Sequence, residues 1–366
     1  MMEEKDLTII SRIKTEIEKI DNKQANVYFF VIDTKGNPSG SLEYIYKLAL
    51  ILKEDGYNVS MLYQETEEFV GVEEWLGEKY SSLPHYNIED GDVSVSASDI
   101  LFIPEIFSNI MMQTKKLPCK RIAITQNYDF ILEQMPVSSQ WGDLGIIESI
   151  TNTEVNKELL NGIFPYVKTT VIDPYIDDMF GSTNAPKNLI INIVSKNQKD
   201  VNRIIKPFYW KYPMYKWVTF RDLRGFPKEM YSKFLREAAI TVWCDDETSF
   251  GYSPLEAMKS GSIVLSKVTD NKQKWMVDCE NQLSDCCVWF DSFNDLHKII
   301  ASVIRAWITD NVPTEIFDSI NKQLELYSYE KTKNQILEYV KNILLTRKNE
   351  MNTLITQINK DSGKDE

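Results

Sequence analysis

The sequence predicts an α/β protein with two doubly wound domains that face each other across a cleft, and with helices at both chain ends. Three observations support this fold class. Residues 27–63 read as strand, glycine loop, helix and strand, a second series of buried strands begins near residue 189, and a stretch rich in Gly, Ser, Pro and Asn separates the two. A chain of 366 residues is long enough for two such domains.

The charge balance narrows the classes of partner. The 41 basic and 54 acidic residues give a formal net charge of −13. This charge argues against nucleic acid as the main partner, because phosphate contacts need a dense basic face. It also weakens adhesion to an anionic membrane, although a local basic patch could still serve either purpose.

Cysteine, histidine and the first residues predict the compartment. Five cysteines without regular spacing indicate reduced thiols, and with two histidines in the chain a zinc site is not supported, so no metal is expected. The first 23 residues are too acidic for a signal peptide, and no apolar run reaches the roughly 18 residues of a membrane span. We therefore expect a cytoplasmic protein, or one that is peripheral to the inner face of the membrane.

The N-terminal half is predicted as a helix followed by one domain. Residues 1–24 form an amphipathic helix whose isoleucines at positions 10, 13, 17 and 20 share one face, which packs on the protein or, less favoured, on a second copy. Residues 25–183 begin with the buried strand VYFFVID, the loop TKGNPSGS, a helix over 42–55 and the strand NVSMLY, a βαβ unit with parallel strands. Further apolar runs predict strands at 99–104, 120–125, 144–150 and 169–174.

The C-terminal half repeats this pattern. The segment 176–188 reads as an interdomain linker, and residues 184–350 form the second predicted domain. Its strands are predicted at 189–195, 216–220, 239–244, 262–266 and 287–290. A long helical pattern follows from residue 329, and residues 351–366 are predicted as a polar tail.

The segment from Cys244 to Ser266 carries the clearest chemistry. A strand ends in an acidic turn, and Pro254 then suits the first turn of a helix that ends at Gly261. Gly251 would let the backbone approach a ligand, and the amides of Tyr252, Ser253 and Leu255 would favour a phosphate at the helix N-terminus. On bare physics, a capping role for Glu256 and a simple turn at Gly251 are equally good interpretations.

The run SFGYSPLEAMKSG resembles the FG-x-x-PLEAM-x-x-G signature of the family 4 retaining glycosyltransferases, which have the GT-B architecture of two Rossmann-like domains. The resemblance implies that Glu256 contacts the donor ribose and that the preceding amides bind its phosphates. It also implies cationic side chains after the first C-terminal strand, where Lys196 and Lys199 stand, and a base pocket near Arg224. The glycine loop around Gly40 matches a loop that approaches the donor diphosphate and the acceptor in relatives, and the pair Gln126–Asn127 matches a position near the donor sugar.

These matches define the predicted site. The donor-binding residues are Gly40, Lys196, Lys199, Arg224, Phe250, Gly251, Tyr252, Ser253, Leu255 and Glu256, and the catalytic residues are Asn127, Glu247 and Lys196.

The sequence departs from the family at one position. The family pairs two glutamates separated by seven residues, and counting back from Glu256 places Thr248 at the first. A shift by one residue would let Glu247 serve instead, or the site lacks that carboxylate. Both alternatives stay open.

The resemblance implies transfer of a sugar from a nucleotide diphosphate-sugar co-substrate, with no further cofactor, to an acceptor hydroxyl, with retention and without a metal. Glycan, lipid-linked glycan and protein acceptors stay open, as do peripheral-membrane and homo-oligomer contacts. Asp245 and Asp246 could suggest a metal pair, but they follow a strand of this fold and are not favoured as ligands. A non-catalytic GT-B partner or scaffold subunit is the main alternative, which Thr248 favours, and a nucleotide-sugar epimerase is a weaker one.

Overall fold

The computed structural model describes residues 4–64, 69–91, 93–183, 185–245, 250–269 and 272–361. The described chain contains two sheets, one of seven strands and one of five, and every strand pair within them is parallel. Helices cover both sheets, which explains the continuous apolar runs in the sequence. The fold class predicted from the sequence is confirmed.

The seven-stranded sheet forms the N-terminal half and has the order β3-β2-β1-β4-β5-β6-β7. Its strands are β1 Asn26–Phe30, β2 Asn58–Tyr63, β3 His85–Asn87, β4 Ile100–Pro104, β5 Lys120–Thr125, β6 Glu148–Thr151 and β7 Lys168–Val171. The helices of this half are α1 Glu4–Asp21, α2 Gly40–Glu54, α3 Glu73–Leu76, α4 Ser108–Gln113, α5 Tyr128–Gln134 and α6 Glu154–Ile163.

The five-stranded sheet forms the C-terminal half and has the order β12-β11-β10-β8-β9. Its strands are β8 Asn188–Val194, β9 Thr219–Asp222, β10 Ala238–Trp243, β11 Ile263–Lys267 and β12 Val288–Phe290. The helices that follow β8 in the chain are α7 Gln198–Lys211, α8 Lys228–Glu237, α9 Tyr252–Lys259, α10 Phe293–Ile308, α11 Thr314–Leu324 and α12 Tyr329–Asp361.

Each sheet has one point where the strand order reverses. In the first sheet β1 lies between β2 and β4, and in the second β8 lies between β9 and β10. The crossovers on either side of these points leave in opposite directions, so a crevice opens at the carboxyl ends of the strands. The segments that leave β1 and β8 at these crevices build the site described below.

The last helix returns to the N-terminal half. Ile336, Val340 and Leu344 of α12 are buried in the core that also contains β1, β2 and α2. The Thr332 hydroxyl donates to the Asp173 carbonyl at 2.7 Å, and the Gln335 side chain contacts the Asp173 carboxylate. This placement differs from the predicted C-terminal domain of 184–350, since an apolar helical stripe does not reveal which sheet it covers.

The ends of the chain also differ in detail from the prediction. Helix α12 continues to Asp361 and buries Met351, so most of the predicted tail 351–366 is helical. Helix α1 packs against α12 and buries Ile10, the packing role that was favoured for its apolar face. No helix among the described residues is both long and apolar enough to cross a membrane.

Two predicted segments change shape in the structure. The strand expected at 144–150 begins at Glu148, because residues 141–146 form turns in which Gly145 has a φ of 72° and the Ile146 amide donates to the Trp141 carbonyl at 2.9 Å. The expected linker 176–188 includes a helical turn at Asp178–Phe180, and the fully buried Phe180 packs into the C-terminal core. The connection between the halves is therefore packed rather than a loose tether.

Candidate functional site

A cavity of about 360 Å³ lies where the carboxyl ends of both sheets meet. Its wall contains residues that follow β1, β5, β6, β8 and β10, and therefore comes from both halves of the chain. The lining residues are Pro38, Ser39, Gly40, Ser41, Gln126, Asn127, Phe130, Asn152, Lys196, Trp243, Asp245, Phe250, Gly251, Tyr252 and Ser253.

Two helix N-termini and a lysine give this cavity a positive character. Helix α2 begins at Gly40 and helix α9 begins at Tyr252, and both residues line the wall. The unpaired amides and the dipole of a helix N-terminus favour an anion. Lys196 lines the same wall directly after β8. The arrangement suits a phosphate or diphosphate group.

Gly251 shapes the turn ahead of α9. Its φ is +80°, and a Cβ atom there would lie 3.1 Å from Cζ2 of Trp275. The Trp275 indole donates to the Phe250 carbonyl at 2.7 Å, and this hydrogen bond fixes the turn. A residue with a side chain would be strained in this conformation and crowded as well.

The two halves touch at the cavity floor. A Cβ atom on Gly40 would lie 3.4 Å from the ring of Tyr252, so the glycine loop and the start of α9 are in close contact. The Ser39 hydroxyl accepts the Leu42 amide at 3.4 Å and caps α2. A side chain at position 40 would therefore be in van der Waals contact with the Tyr252 ring.

Glu105 holds the turn that carries Asn127. One carboxylate oxygen of Glu105 accepts the amides of Gln126 and Asn127, each at 2.8 Å. Burial raises the pKa of Glu105 to about 7, although the two amide donors act in the opposite direction. Asn127 then caps α5 by accepting the Asp129 amide at 3.1 Å. The backbone around Asn127 is therefore fixed by a buried carboxyl that the sequence analysis did not select.

Lys196 and Asp245 face each other across the switch point of the second sheet. The Lys196 amide donates to an Asp245 carboxylate oxygen at 2.7 Å. Burial raises the pKa of Asp245, against the effect of the Lys196 amide and charge. Asp245 thus braces the loop that presents Lys196.

Glu256 does not line the cavity but belongs to a buried charge network. Its carboxylate contacts the Lys228 ammonium at 2.5 Å, and the same ammonium contacts Glu43 of the N-terminal half. Glu43 also pairs with Lys47 at 2.6 Å. The network of Glu43, Lys47, Lys228 and Glu256 therefore joins the two halves.

The charges in this network are balanced. Burial alone would disfavour every charge there, but the carboxylates of Glu256 and Glu43 outweigh it and raise the pKa of Lys228. The ring of Tyr252 lies near both ammonium groups, at 5.0 Å from that of Lys47 and 5.7 Å from that of Lys228. With two cations and two anions the network carries no net charge.

The other predicted residues lie outside the cavity wall. Leu255 is fully buried in the C-terminal core. Arg224 pairs with Asp222 and also contacts Gln198 at the surface, and Lys199 stands in the first turn of α7. Glu247, like Thr248 and Asp246, lies outside the described residues, so its predicted role stays a prediction.

Part of the site could not be found by motif. Asn152 and Glu105 follow predicted strands, a position that can indicate a site residue in a parallel sheet. Lys228 has no such signal, since it starts a helix far from Glu43 in sequence. Within the described ranges, no group of three or more His, Cys, Asp or Glu side chains could hold a metal ion.

Comparison with known proteins gives several likenesses. No protein-family model matches the chain. The chain is 25% identical over 274 residues to an alpha-1,6-glucosyltransferase of Actinobacillus pleuropneumoniae serotype 7 (strain AP76), covering 70% of this chain and 78% of that protein.

Solved structures resemble most of the chain. The pneumococcal O-GlcNAc transferase GtfA, solved with UDP and GlcNAc, matches with a TM-score of 0.62 at 9% identity, over 87% of this chain and 99% of that one. A sucrose-phosphate synthase from Thermosynechococcus elongatus matches with a TM-score of 0.60 at 10% identity, over 88% of this chain and 100% of that one. Anabaena HepE, solved with UDP-glucose, matches with a TM-score of 0.59 at 11% identity, over 87% of this chain and 99% of that one. These likenesses confirm the predicted two-domain architecture.

Proposed function

We propose that this chain, which has the GT-B fold and resembles glycosyltransferases, transfers a sugar from a nucleotide diphosphate-sugar to an acceptor hydroxyl. The observation that carries this proposal is the cavity at both switch points, where two helix N-termini and Lys196 converge. Sugar transfer leaves a diphosphate whose negative charge grows as the glycosidic bond breaks. A fixed positive environment lowers the energy of that state.

Several residues of the cavity have a role in this proposal. The Lys196 ammonium neutralises the departing diphosphate, and the backbone from Gly251 to Ser253 cradles it. The loop at Gly40 and the side chain of Asn127 seat the sugar and the acceptor. Glu105 keeps the Asn127 turn in place through its two amide contacts.

The remaining roles come from the resemblance. Glu256 would contact the donor ribose, which requires its carboxylate to share its protein partner Lys228 with a ribose hydroxyl. Lys199 and Arg224 would approach the donor from the rim, and Glu247 would supply the carboxylate near the sugar. Retention and independence of metal belong to the same proposal.

UDP-glucose is the first donor to test. HepE was solved with UDP-glucose and GtfA with UDP, and the Actinobacillus pleuropneumoniae relative is an alpha-1,6-glucosyltransferase. The acceptor class is open among a glycan, a lipid-linked glycan and a protein. The expected setting is cytoplasmic.

Calorimetry with UDP, GDP and ADP tests the donor site. We expect one of these nucleotides to bind, and Lys196→Ala to weaken that binding by about tenfold or more, because a charge-assisted contact to phosphate is lost. Lys206→Ala, on the exposed face of α7 and away from the cavity, is the matched control and should bind as the parent does. Absence of binding by all three nucleotides, or equal binding by both variants, would contradict the proposal.

A non-catalytic GT-B subunit is the second candidate. Thr248 stands at the family's first glutamate, and Glu256 already has a buried cationic partner in Lys228. Release of UDP from UDP-glucose in the presence of acceptor extracts separates the two functions. Nucleotide binding without any turnover would support the scaffold.

A further inference from the structure

A short corner of the C-terminal half exposes large apolar side chains. It comprises residues 206–217, from the end of α7 to the start of β9, and we call it the aromatic–basic corner. Trp210 is 78% exposed, Met214 65% and Trp217 60%. All eight tryptophans lie in the described ranges, and among them Trp210 and Trp217 are exposed, whereas the other six are buried or partly buried.

The corner is rigid rather than a loose loop. The Tyr209 hydroxyl donates to the Val218 carbonyl at 2.6 Å, and the Val218 amide donates to the Tyr215 carbonyl at 2.9 Å. Phe208, which precedes Tyr209 in the chain, is fully buried in the core. The backbone that carries the exposed tryptophans is therefore fixed by these hydrogen bonds and by the buried Phe208.

The charge of this segment is opposite to that of the whole protein. Residues 201–221 contain five basic side chains and no acidic one, in a chain of net charge −13. Of these five, Arg203 pairs with Asp200 and Arg221 with Glu237, and the other three are lysines of the corner. Lys206, Lys211 and Lys216 are exposed within the corner. On α10, which reaches Tyr212 through His297, Asp295 is paired with Lys298 at 2.6 Å and adds no net negative charge.

We propose that the aromatic–basic corner binds the surface of an anionic lipid membrane. Tryptophan and tyrosine prefer the boundary between lipid headgroups and acyl chains, and lysines around them are attracted to anionic headgroups. A protein partner is less well matched, since interface cores are depleted in lysine. Self-association through a two-fold axis would bring the same lysines of two copies together.

This surface lies apart from the proposed cleft. Helix α7 begins at Gln198, close to Lys196 of the cavity, and ends at Lys211 in the corner. Its 14 residues correspond to about 21 Å of helix. The corner and the cavity are therefore separated by about 20 Å along α7. The inference is independent of the proposed transfer reaction.

Vesicle flotation tests the proposal on the full chain. One set of vesicles contains phosphatidylcholine alone, and the other contains equal parts of phosphatidylcholine and phosphatidylglycerol. We expect the protein to float with the second set and not with the first, and its tryptophan emission to shift to shorter wavelength on binding. Absence of binding to the phosphatidylglycerol vesicles would overturn the proposal.

Two variants assign the binding to the corner. Trp210→Ser with Trp217→Ser should weaken binding by more than about tenfold, because the apolar insertion is lost. Lys206→Gln, Lys211→Gln and Lys216→Gln together should weaken it by about 100-fold at low salt, since each lysine near an anionic surface contributes about fivefold.

The control makes the same change in net charge elsewhere. Lys14→Gln, Lys322→Gln and Lys341→Gln alter three other exposed lysines and should leave vesicle binding close to that of the parent. Equal loss in the control and the corner variant would refute the assignment to the corner. So would a dimer, found by analytical ultracentrifugation, that the tryptophan changes dissociate, because the corner would then be a protein interface.

Discussion

Replacing Lys228 by methionine should destabilise the protein strongly and in a pH-dependent way. Lys228 contacts both Glu43 and Glu256, and each carboxylate is 3% exposed. Without it Glu43 keeps its pair with Lys47, so one buried negative charge is left over. Removing one partner of a buried ion pair costs about 3–5 kcal/mol.

The structure also sets the dependence on pH. The leftover carboxyl can escape the unpaired charge by taking up a proton, and protonating a glutamate of ordinary pKa 4.5 at pH 7 costs about 3 kcal/mol. At pH 5 the same protonation costs less than about 1 kcal/mol. In the variant the folded pKa of this carboxyl lies above the unfolded one, so stability is present at low pH and is lost as the pH rises. The loss in free energy of unfolding caused by Lys228→Met should therefore be larger at pH 7 than at pH 5.

Urea unfolding followed by circular dichroism at the two pH values measures this effect. Lys298→Met removes an exposed pair with Asp295 and should leave the urea midpoint close to that of the parent at either pH, because solvent screens such a pair. Adding Glu256→Gln to Lys228→Met should recover part of the loss, because the leftover charge is removed. A deficit that is small, or equal at pH 5 and pH 7, would refute the reasoning.

Three further predictions concern the core and the site. Ile336→Ala in α12 should lower the free energy of unfolding by about 2–5 kcal/mol in urea titrations, whereas the half-exposed Leu345→Ala on the same helix should cost less than about 1 kcal/mol; equal effects would contradict the docking of α12. Burial raises the pKa of Glu105 to about 7, so its contribution to stability is lost as the pH rises from 4.5 through 7; Glu105→Gln should flatten the stability profile between pH 5 and pH 8 by about 3 kcal/mol, and an unchanged slope would exclude this role. Gly251→Ala should cost about 1–2 kcal/mol of stability and weaken nucleotide binding in calorimetry, because of the positive φ and the contact with Trp275; a variant that binds as the parent does would show that the turn tolerates the side chain.

The sequence predicted the elements of the site better than their contacts. Lys196 was selected from the family resemblance and its place after a strand, and Gly251 from the turn ahead of a helix. The structure brings both to one cavity because carboxyl ends of parallel strands share an edge. Leu255 was selected from the same motif for its backbone amide, and its side chain lies in the core, because successive side chains of a helix point about 100° apart. The motif therefore located the turn and could not separate its two faces.

Long-range pairing was beyond the sequence. Glu256 was expected to meet a ligand, and nothing in the motif indicates that Lys228 pairs with it and also links it to Glu43 of another helix. The packing of α12 on the first sheet could not be predicted for the same reason, because the apolar face of this helix could pack against either sheet. Such contacts depend on how the halves pack, which a single sequence does not encode in a local pattern.

The return of α12 to the first sheet has a consequence for how the protein is made. A ribosome releases the N-terminal half first, but the core of that half needs Ile336, Val340 and Leu344. Nascent chains therefore hold an uncovered apolar surface until α12 has emerged, and chaperones would have access there. The half that is synthesised first is thus completed only after the second half has been made.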